Sequence, residues 1–221
     1  RSDVRALKPD APAEFVLENL KPDAAHFYRL HYREGKSGDF KTDPPQEFHT
    51  QRKPGSPFRF TVQSDSHLDQ GTQPTVYERT LANMVADRLD FLVDVGDTFM
   101  TDKYPRFKDS LPQYMAQRYY MGLAAKTVPL FLALGNHDGE RLDRYDGTED
   151  CMSVWSCLNR KRLFPNPVPG GIYTGNKTEV KPIGLIENYY AWEWGDALMV
   201  VLDPFWYTRA RGRNAATDNW T

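Results

Sequence analysis

The order of five segments between residues 58 and 134 constrains the fold of this chain more than any other feature of its sequence. Three are short apolar runs typical of strands, and two, of which the second is interrupted near Pro112, have helical periodicity. In order they are residues 58–63, 75–89, 91–95, 104–126 and 129–134. Thr75 and Glu78 have the spacing of a capping box at the start of the first helix. A β-α-β-α-β order predicts parallel strands joined by right-handed crossovers.

A cluster of polar side chains follows each predicted strand. The clusters are Asp65-Ser66-His67, Gly96-Asp97 and Gly135-Asn136-His137-Asp138. The loops at the carboxyl ends of parallel strands converge on one crevice, so clusters that are far apart in sequence can share one site. Any one cluster alone is typical of an ordinary turn. All three in order predict a single functional site.

The side chains in these clusters are those that bind metal ions of intermediate hardness. Carboxylate oxygens and imidazole nitrogens suit zinc, manganese or iron, and two cysteines in the whole chain do not favour a thiolate site. Asp97 lies between the other two clusters, where its two oxygens can bridge two ions. Two-metal sites clamp the attacking and leaving oxygens of a phosphoryl displacement. We therefore expect two divalent or trivalent metal ions.

The three motifs resemble the calcineurin-like metallophosphoesterase superfamily, and the resemblance extends over residues 58–221. It implies an α/β metallophosphoesterase fold, with sheets flanked by helices, and hydrolysis of phosphate monoesters or diesters by a metal-bridging hydroxide. It also implies residue roles: the first metal binds Asp65 and His67, Asp97 bridges, the second metal binds Asn136, and His137 faces the scissile phosphate. The expected partner is a small phosphate-ester substrate.

The sequence departs from this family at three points. The family completes its site with further histidines, but none follows His137 here, so we expect that the C-terminal part of the domain is missing and that this fragment alone is inactive. Purple acid phosphatases have a tyrosine three residues after the Gly-Asp aspartate, where Met100 stands. Protein phosphatases have an aspartate at the position of Met100, where it supports the catalytic histidine. In this chain Asp102 lies two residues after that position.

Asp138 is next to His137 in the sequence and is expected to set the tautomer of His137.

The front of the chain has a different pattern. Residues 15–32 contain two extended pieces about a Lys-Pro-Asp turn, and a closing strand is expected at residues 47–50. Leu20 and Pro22 resemble the corner of a fibronectin type III or purple acid phosphatase N-terminal domain. We therefore expect a partial all-β sandwich over residues 1–53, a linker at 54–57, and the metallophosphoesterase domain from 58. That resemblance favours a secreted or periplasmic location.

Residues 139–188 are rich in glycine, proline and charge and have no clear periodicity, which predicts a lid or substrate loop. Residues 189–203 then form two extended runs about Gly195 and Asp196, which predict a hairpin. Cys151 and Cys157 can pair in a local disulfide or remain thiols, and the sequence does not decide between the two.

Composition limits the partners. A net charge of -2 provides no basic surplus for nucleic acid, and the apolar runs are too short to span a membrane. The oligomeric state stays open.

The sequence also allows two functions other than a phosphoesterase. A binding or adhesion protein would use the front domain and keep the second domain as a metal-free scaffold. A serine hydrolase using Ser64 or Ser66 with His67 is disfavoured, because adjacent side chains at a strand end point apart and no Gly-x-Ser-x-Gly turn is present.

Overall fold

The structure, a computed structural model, describes residues 2–69, 71–104 and 106–207. The helices are α1 (Pro74–Ala86), α2 (Phe107–Ala125) and α3 (Met152–Leu163), with 3-10 turns at Thr101–Lys103 and Leu142–Arg144. The strands are β1 (Ala25–Tyr28), β2 (His31–Tyr32), β3 (Lys41–Thr42), β4 (Gln46–His49), β5 (Phe60–Gln63), β6 (Phe91–Asp94), β7 (Leu130–Leu132), β8 (Thr174–Gly175), β9 (Glu179–Val180), β10 (Gly184–Leu185), β11 (Tyr190–Trp194) and β12 (Ala197–Val201). None of the helices in these residues is long and apolar enough to cross a membrane.

The predicted β-α-β-α-β unit is present. Strands β5, β6 and β7 form one sheet in that order, and both pairings are parallel. The central strand β6 is buried along its whole length, as expected for a strand with neighbours on both sides and helices over one face. The carboxyl ends of all three strands therefore lie along one edge of the sheet. The expected mixed α/β fold is confirmed.

Both helices of this unit differ in detail from the sequence prediction. Helix α1 begins at Pro74, and its N-cap, Gln73, makes no side-chain capping bond, so the predicted Thr75–Glu78 capping box is wrong. A proline in the first turn needs no N–H partner and presets the helical backbone, which explains this start. Helix α2 continues through Pro112 without a break. That proline lies near the start of α2, where it frees only the carbonyl of Lys108, an exposed residue.

A second sheet packs against the first. It has the order β12-β11-β8, and the predicted hairpin at Gly195 and Asp196 joins β11 to β12. The core between the sheets is aromatic: Trp192 stacks on Phe131 with ring centroids 4.0 Å apart, and Phe91 meets the edge of Trp192 at 5.8 Å. Burying side chains of this size stabilises the fold by about 1.5–3 kcal/mol each. The two sheets thus hold the site-bearing edge rigid.

Residues 139–188 are not one structureless loop, contrary to the expectation from sequence. They contain helix α3, three short strands and a 3-10 turn. The helix is anchored by a fully buried ion pair in which Arg160 Nε lies 2.7 Å from Glu140 Oε1. Because Glu140 lies two residues after the third polar cluster, this pair fixes the segment to the site. Cys151 and Cys157 lie in this region as buried free thiols, which excludes the local disulfide.

The front segment forms short antiparallel strand pairs. Strand β1 pairs with β4 and β2 pairs with β3, so the expected closing strand is found at Gln46–His49. The predicted strand before the Lys-Pro-Asp turn is wrong, because residues 15–20 form no strand and are all exposed. The stretch at 51–57 is tied to the second sheet, since Gln51 Nε2 donates to the Glu193 carbonyl at 2.7 Å. The division of the chain into domains stays a prediction.

Candidate metal centre

The first turn of the site follows β5 and presents Asp65. Its backbone is left-handed, with φ 55°, and its N–H donates to the carbonyl of Gly96 at 3.0 Å. Such a backbone costs a non-glycine residue about 1–3 kcal/mol and is concentrated at functional sites. Within the described residues, the Asp65 carboxylate accepts no hydrogen bond and pairs with no cation. Its oxygens are therefore available to a ligand.

The second and third turns touch each other through glycine. A Cβ on Gly96 would lie 2.1 Å from the backbone N of Gly135, and a Cβ on Gly135 would lie 2.2 Å from Asp97 Oδ1. Gly96 also has a φ of +99°, which side chains rarely tolerate. Asp97 is left-handed as well, with φ 53°, and its Oδ1 accepts the His137 N–H at 2.9 Å. The three polar clusters are thus in direct contact, as the sequence predicted.

Asp138 lies beneath these turns. Its carboxylate accepts four backbone N–H groups, those of Asp97, Thr98, Phe99 and Gly135, at 2.8–3.1 Å. Burial raises the pKa of Asp138 to about 7, and backbone hydrogen bonds from Phe99 and Gly135 oppose that rise. Asp138 therefore ties the second turn to the third. The expectation that it sets the tautomer of His137 is wrong, because its oxygens face the backbone.

Asp94 gives similar support from the end of β6. One carboxylate oxygen accepts the Gly96 N–H at 3.1 Å and the Thr98 hydroxyl, and the other accepts Gln63 Nε2 at 2.7 Å. The side chain is fully buried, and burial raises its pKa. These contacts fix the Gly-Asp turn from below and join β5 to β6. Asp94 is thus part of the support of the site.

The partner of His137 is Asp102, which lies two residues beyond the position that the protein phosphatase pattern expects. The Nδ1 atom of His137 lies 2.9 and 2.8 Å from the two carboxylate oxygens of Asp102. Asp102 reaches it because the chain turns left-handed at Met100, with φ 46°, and then forms the 3-10 turn Thr101–Lys103. That turn brings Asp102 to His137 even though Asp102 lies two residues after the position given by the phosphatase pattern. The Nε2 atom of His137 has no hydrogen bond within the described residues, and the side chain is 37% exposed.

His67 lies beside a second ion pair. Its Nδ1 is 3.2 Å from Asp69 Oδ2, and the same oxygen is 2.6 Å from Lys103 Nζ. The hydrogen bond from Lys103 lowers the pKa of Asp69, which keeps its carboxylate charged. Asp69 was not singled out from the sequence. The sequence signal that identifies Asp69 is its position two residues after His67, a candidate ligand.

The donor set of these turns fits a metal site. Asp65 and Asn136 have side-chain oxygens with no hydrogen bond from the described residues, and one oxygen of Asp97 is equally unengaged. Carboxylate, amide and imidazole donors together suit divalent or trivalent ions such as zinc, manganese and iron. In the described parts of the chain, no three His, Cys, Asp or Glu side chains are already gathered as a metal-binding group. The roles of the individual ligands stay predictions.

Comparison with known proteins gives a family match and two similar folds. The family model described as calcineurin-like phosphoesterase matches residues 58–204, more than half of the chain. The structure of purple acid phosphatase PPD1 from yellow lupin (Lupinus luteus) seeds has a TM-score of 0.56 and 16% identity over 83% of this chain and 31% of that chain. A structure of PhoD has a TM-score of 0.51 and 15% identity over 89% of this chain and 40% of that one. The chain thus spans less than half the length of either. No curated protein sequence matches it.

Proposed function

Since the chain belongs to the calcineurin-like phosphoesterase family, we propose that the full-length protein hydrolyses phosphate esters at a two-metal site. The proposed ligands are Asp65, His67, Asp97 and Asn136. The observation that carries this proposal is the contact between the turns: Asp65 N–H bonds to Gly96, and Asp97 Oδ1 accepts the His137 N–H. The three candidate motifs therefore form one surface at the carboxyl edge of the sheet.

Bound metal ions would supply the electrostatic stabilisation of the attacking and leaving oxygens in a phosphoryl displacement. The chain's own contribution is to hold the donors in place. Asp94 and Asp138 fix the turns through backbone N–H groups, so the carboxylates above them keep their positions without help from a ligand. Asn136 brings a neutral oxygen, which allows a second ion without the repulsion of another carboxylate.

His137 is proposed to meet the substrate. Asp102 engages Nδ1, so that nitrogen carries the proton and Nε2 is left for the phosphate or its leaving oxygen. When Nε2 is protonated as well, a ring held in this way can stabilise developing negative charge or donate that proton to the leaving oxygen, and such proton transfer is worth roughly 10²–10⁴ in rate. The 37% exposure of His137 leaves the ring accessible to a small phosphate ester.

Metal-dependent turnover tests the proposal. The full-length protein is stripped with a chelator, and release of phosphate or phenol from an aryl phosphate monoester and a diester is measured before and after zinc, manganese or iron is restored. We expect hydrolysis only with metal, and the ratio of monoester to diester turnover assigns the substrate class. A protein that binds no metal and cleaves neither ester would favour the metal-free scaffold instead.

A further inference from the structure

The 3-10 turn Thr101–Lys103 places two neighbouring charged side chains beside two different histidines. Asp102 engages Nδ1 of His137, and Lys103 engages Asp69, which lies against Nδ1 of His67. The turn therefore connects the first polar cluster to the third. The contact with His67 has no role in the function proposed above.

The two oxygens of Asp69 make different contacts. Oδ1 accepts the N–H of Gly71 at 3.3 Å, a bond that shapes the local turn. Among the described residues no hydrogen bond from that turn reaches Oδ2, which instead faces Lys103 Nζ at 2.6 Å and His67 Nδ1 at 3.2 Å. Turn formation thus accounts for one oxygen only. The second oxygen needs another explanation.

The position of Asp69 Oδ2 is explained by the buried Nδ1 atom of the His67 ring. Its Nδ1 is shielded from solvent and has no aligned hydrogen bond from the described residues, although Asp69 is within 3.2 Å. A buried N–H without an acceptor costs about 1–3 kcal/mol, and a small rotation of the ring removes that cost by aligning Nδ1 with Asp69. The backbone of His67 is already fixed, because its carbonyl accepts the Thr72 hydroxyl.

We propose that Asp69, held in place by Lys103, fixes the His67 ring with Nδ1 as the N–H and Nε2 as the nitrogen that binds metal. Asp69 is thus a positioning residue. The hydrogen bond at one imidazole nitrogen decides which nitrogen is protonated, and such partners of metal ligands orient the ring. The metal-binding part of this inference rests on the proposed function, since it takes His67 as a ligand.

The tautomer of His67 tests the inference without any metal. Nitrogen-15 NMR of the side chain is recorded on the metal-free protein at about pH 8.5, well above the ordinary imidazole pKa of about 6.5. The unmodified protein should show the Nδ1–H tautomer, and Asp69→Ala should shift the population toward Nε2–H. Asp87→Ala is the matched control, because Asp87 is exposed and lies away from both histidines at the end of α1. An unmodified tautomer of Nε2–H, or no change in Asp69→Ala, would overturn the inference.

A second variant distinguishes loss of the Asp69 charge from loss of local folding, which Asp69→Ala alone does not. Asp69→Asn keeps an amide oxygen for the Gly71 N–H and loses the charge that faces Lys103 and His67. It should weaken the preference for Nδ1–H while the remaining spectrum stays that of the folded protein. Lys103→Met should have a smaller effect in the same direction, and Lys108→Met, at an exposed position in α2, should have none.

Manganese titration by calorimetry gives the second readout. Asp69→Ala should bind manganese roughly 10- to 100-fold more weakly than the unmodified protein, the usual effect of removing such a partner. Equal affinities would overturn the inference. If the unmodified protein binds no metal, the proposed function fails, and the tautomer comparison alone then decides whether Asp69 positions the ring.

Discussion

His137 Nδ1 lies 2.8 Å from a carboxylate oxygen of Asp102, a residue 35 positions earlier in the chain. The pair joins the turn after β7 to the 3-10 turn that follows β6. It leaves Nε2 without a hydrogen bond from the described residues, on an accessible ring at the same edge of the sheet as the candidate metal ligands.

Removal of either member of this pair should slow phosphate-ester hydrolysis. His137→Ala should lower kcat by roughly 10²–10⁴, the range for a lost acid–base group. Asp102→Asn should lower kcat less, because the ring stays present but loses its fixed tautomer. The measurement is steady-state turnover of an aryl phosphate at saturating metal. Asp109→Asn, at a partly exposed ion pair with Arg106, is the control and should match the unmodified enzyme. A His137→Ala variant with full activity would remove His137 from the mechanism.

The glycine contact between the second and third turns should not tolerate a methyl group. Gly96→Ala introduces a Cβ 2.1 Å from Gly135 N and a strained φ, so we expect a loss of about 3 kcal/mol or more in the free energy of unfolding. Gly122→Ala is the matched control. Gly122 lies in helix α2 with open space around it, and alanine there should stabilise by up to about 1 kcal/mol. Urea denaturation measures both, and equal stabilities would show that the turns are not in close contact.

Asp203 should make stability depend on pH. Burial raises its pKa to about 6, although the hydrogen bond from Asn188 opposes the rise. The ordinary value is about 3.9, so the folded state retains a proton that the unfolded state has lost between about pH 4 and 6. Its contribution of about 2–3 kcal/mol is present below this window and is lost as pH rises through it. Asp203→Asn should flatten that part of the profile of unfolding free energy against pH. A profile with the slope unchanged would contradict the assignment.

The buried pair of Glu140 and Arg160 should behave as a unit. Arg160→Leu leaves a buried carboxylate unpaired and should lower the free energy of unfolding by about 3–5 kcal/mol. The double variant with Glu140→Leu should recover much of this loss, since the fully buried carboxylate is removed as well and Glu187, the other carboxylate near Arg160, keeps Lys161 as a partner at 3.6 Å. Arg79→Leu, at an exposed position of helix α1, should change stability by less than about 0.5 kcal/mol. Equal losses in the single and double variants would show that the charge is not the cause.

The site-bearing sheet was predictable because its strands are apolar and the three polar clusters follow them directly. Helix α3 was not, for a physical reason. Its buried residues include Ser153, Asn159 and Arg160 together with Trp155, so burial does not follow an apolar stripe. Polar contacts, such as the Arg160 pair, replace the amphipathic pattern that identifies most helices.

Asp102 shows a second limit of the sequence pattern. Its place in the site depends on the left-handed backbone of Met100 and a single 3-10 turn, neither of which has a sequence signal of its own. The protein phosphatase pattern expects the supporting carboxylate three residues after Asp97, at Met100. In this chain the supporting carboxylate is Asp102, two residues later. Asp138 was assigned that role because it is adjacent to His137, but its side chain faces the backbone of the second turn.

The number of metal ions bound per chain tests the account most directly. Elemental analysis after exhaustive dialysis should find metal in the unmodified protein and in Asp87→Ala, whose side chain lies outside the site. Asp97→Ala should lose that metal together with phosphate-ester hydrolysis, because the proposed bridging carboxylate is gone. An unmodified protein without metal, or an Asp97→Ala variant with the metal content and turnover of the unmodified protein, would contradict the account.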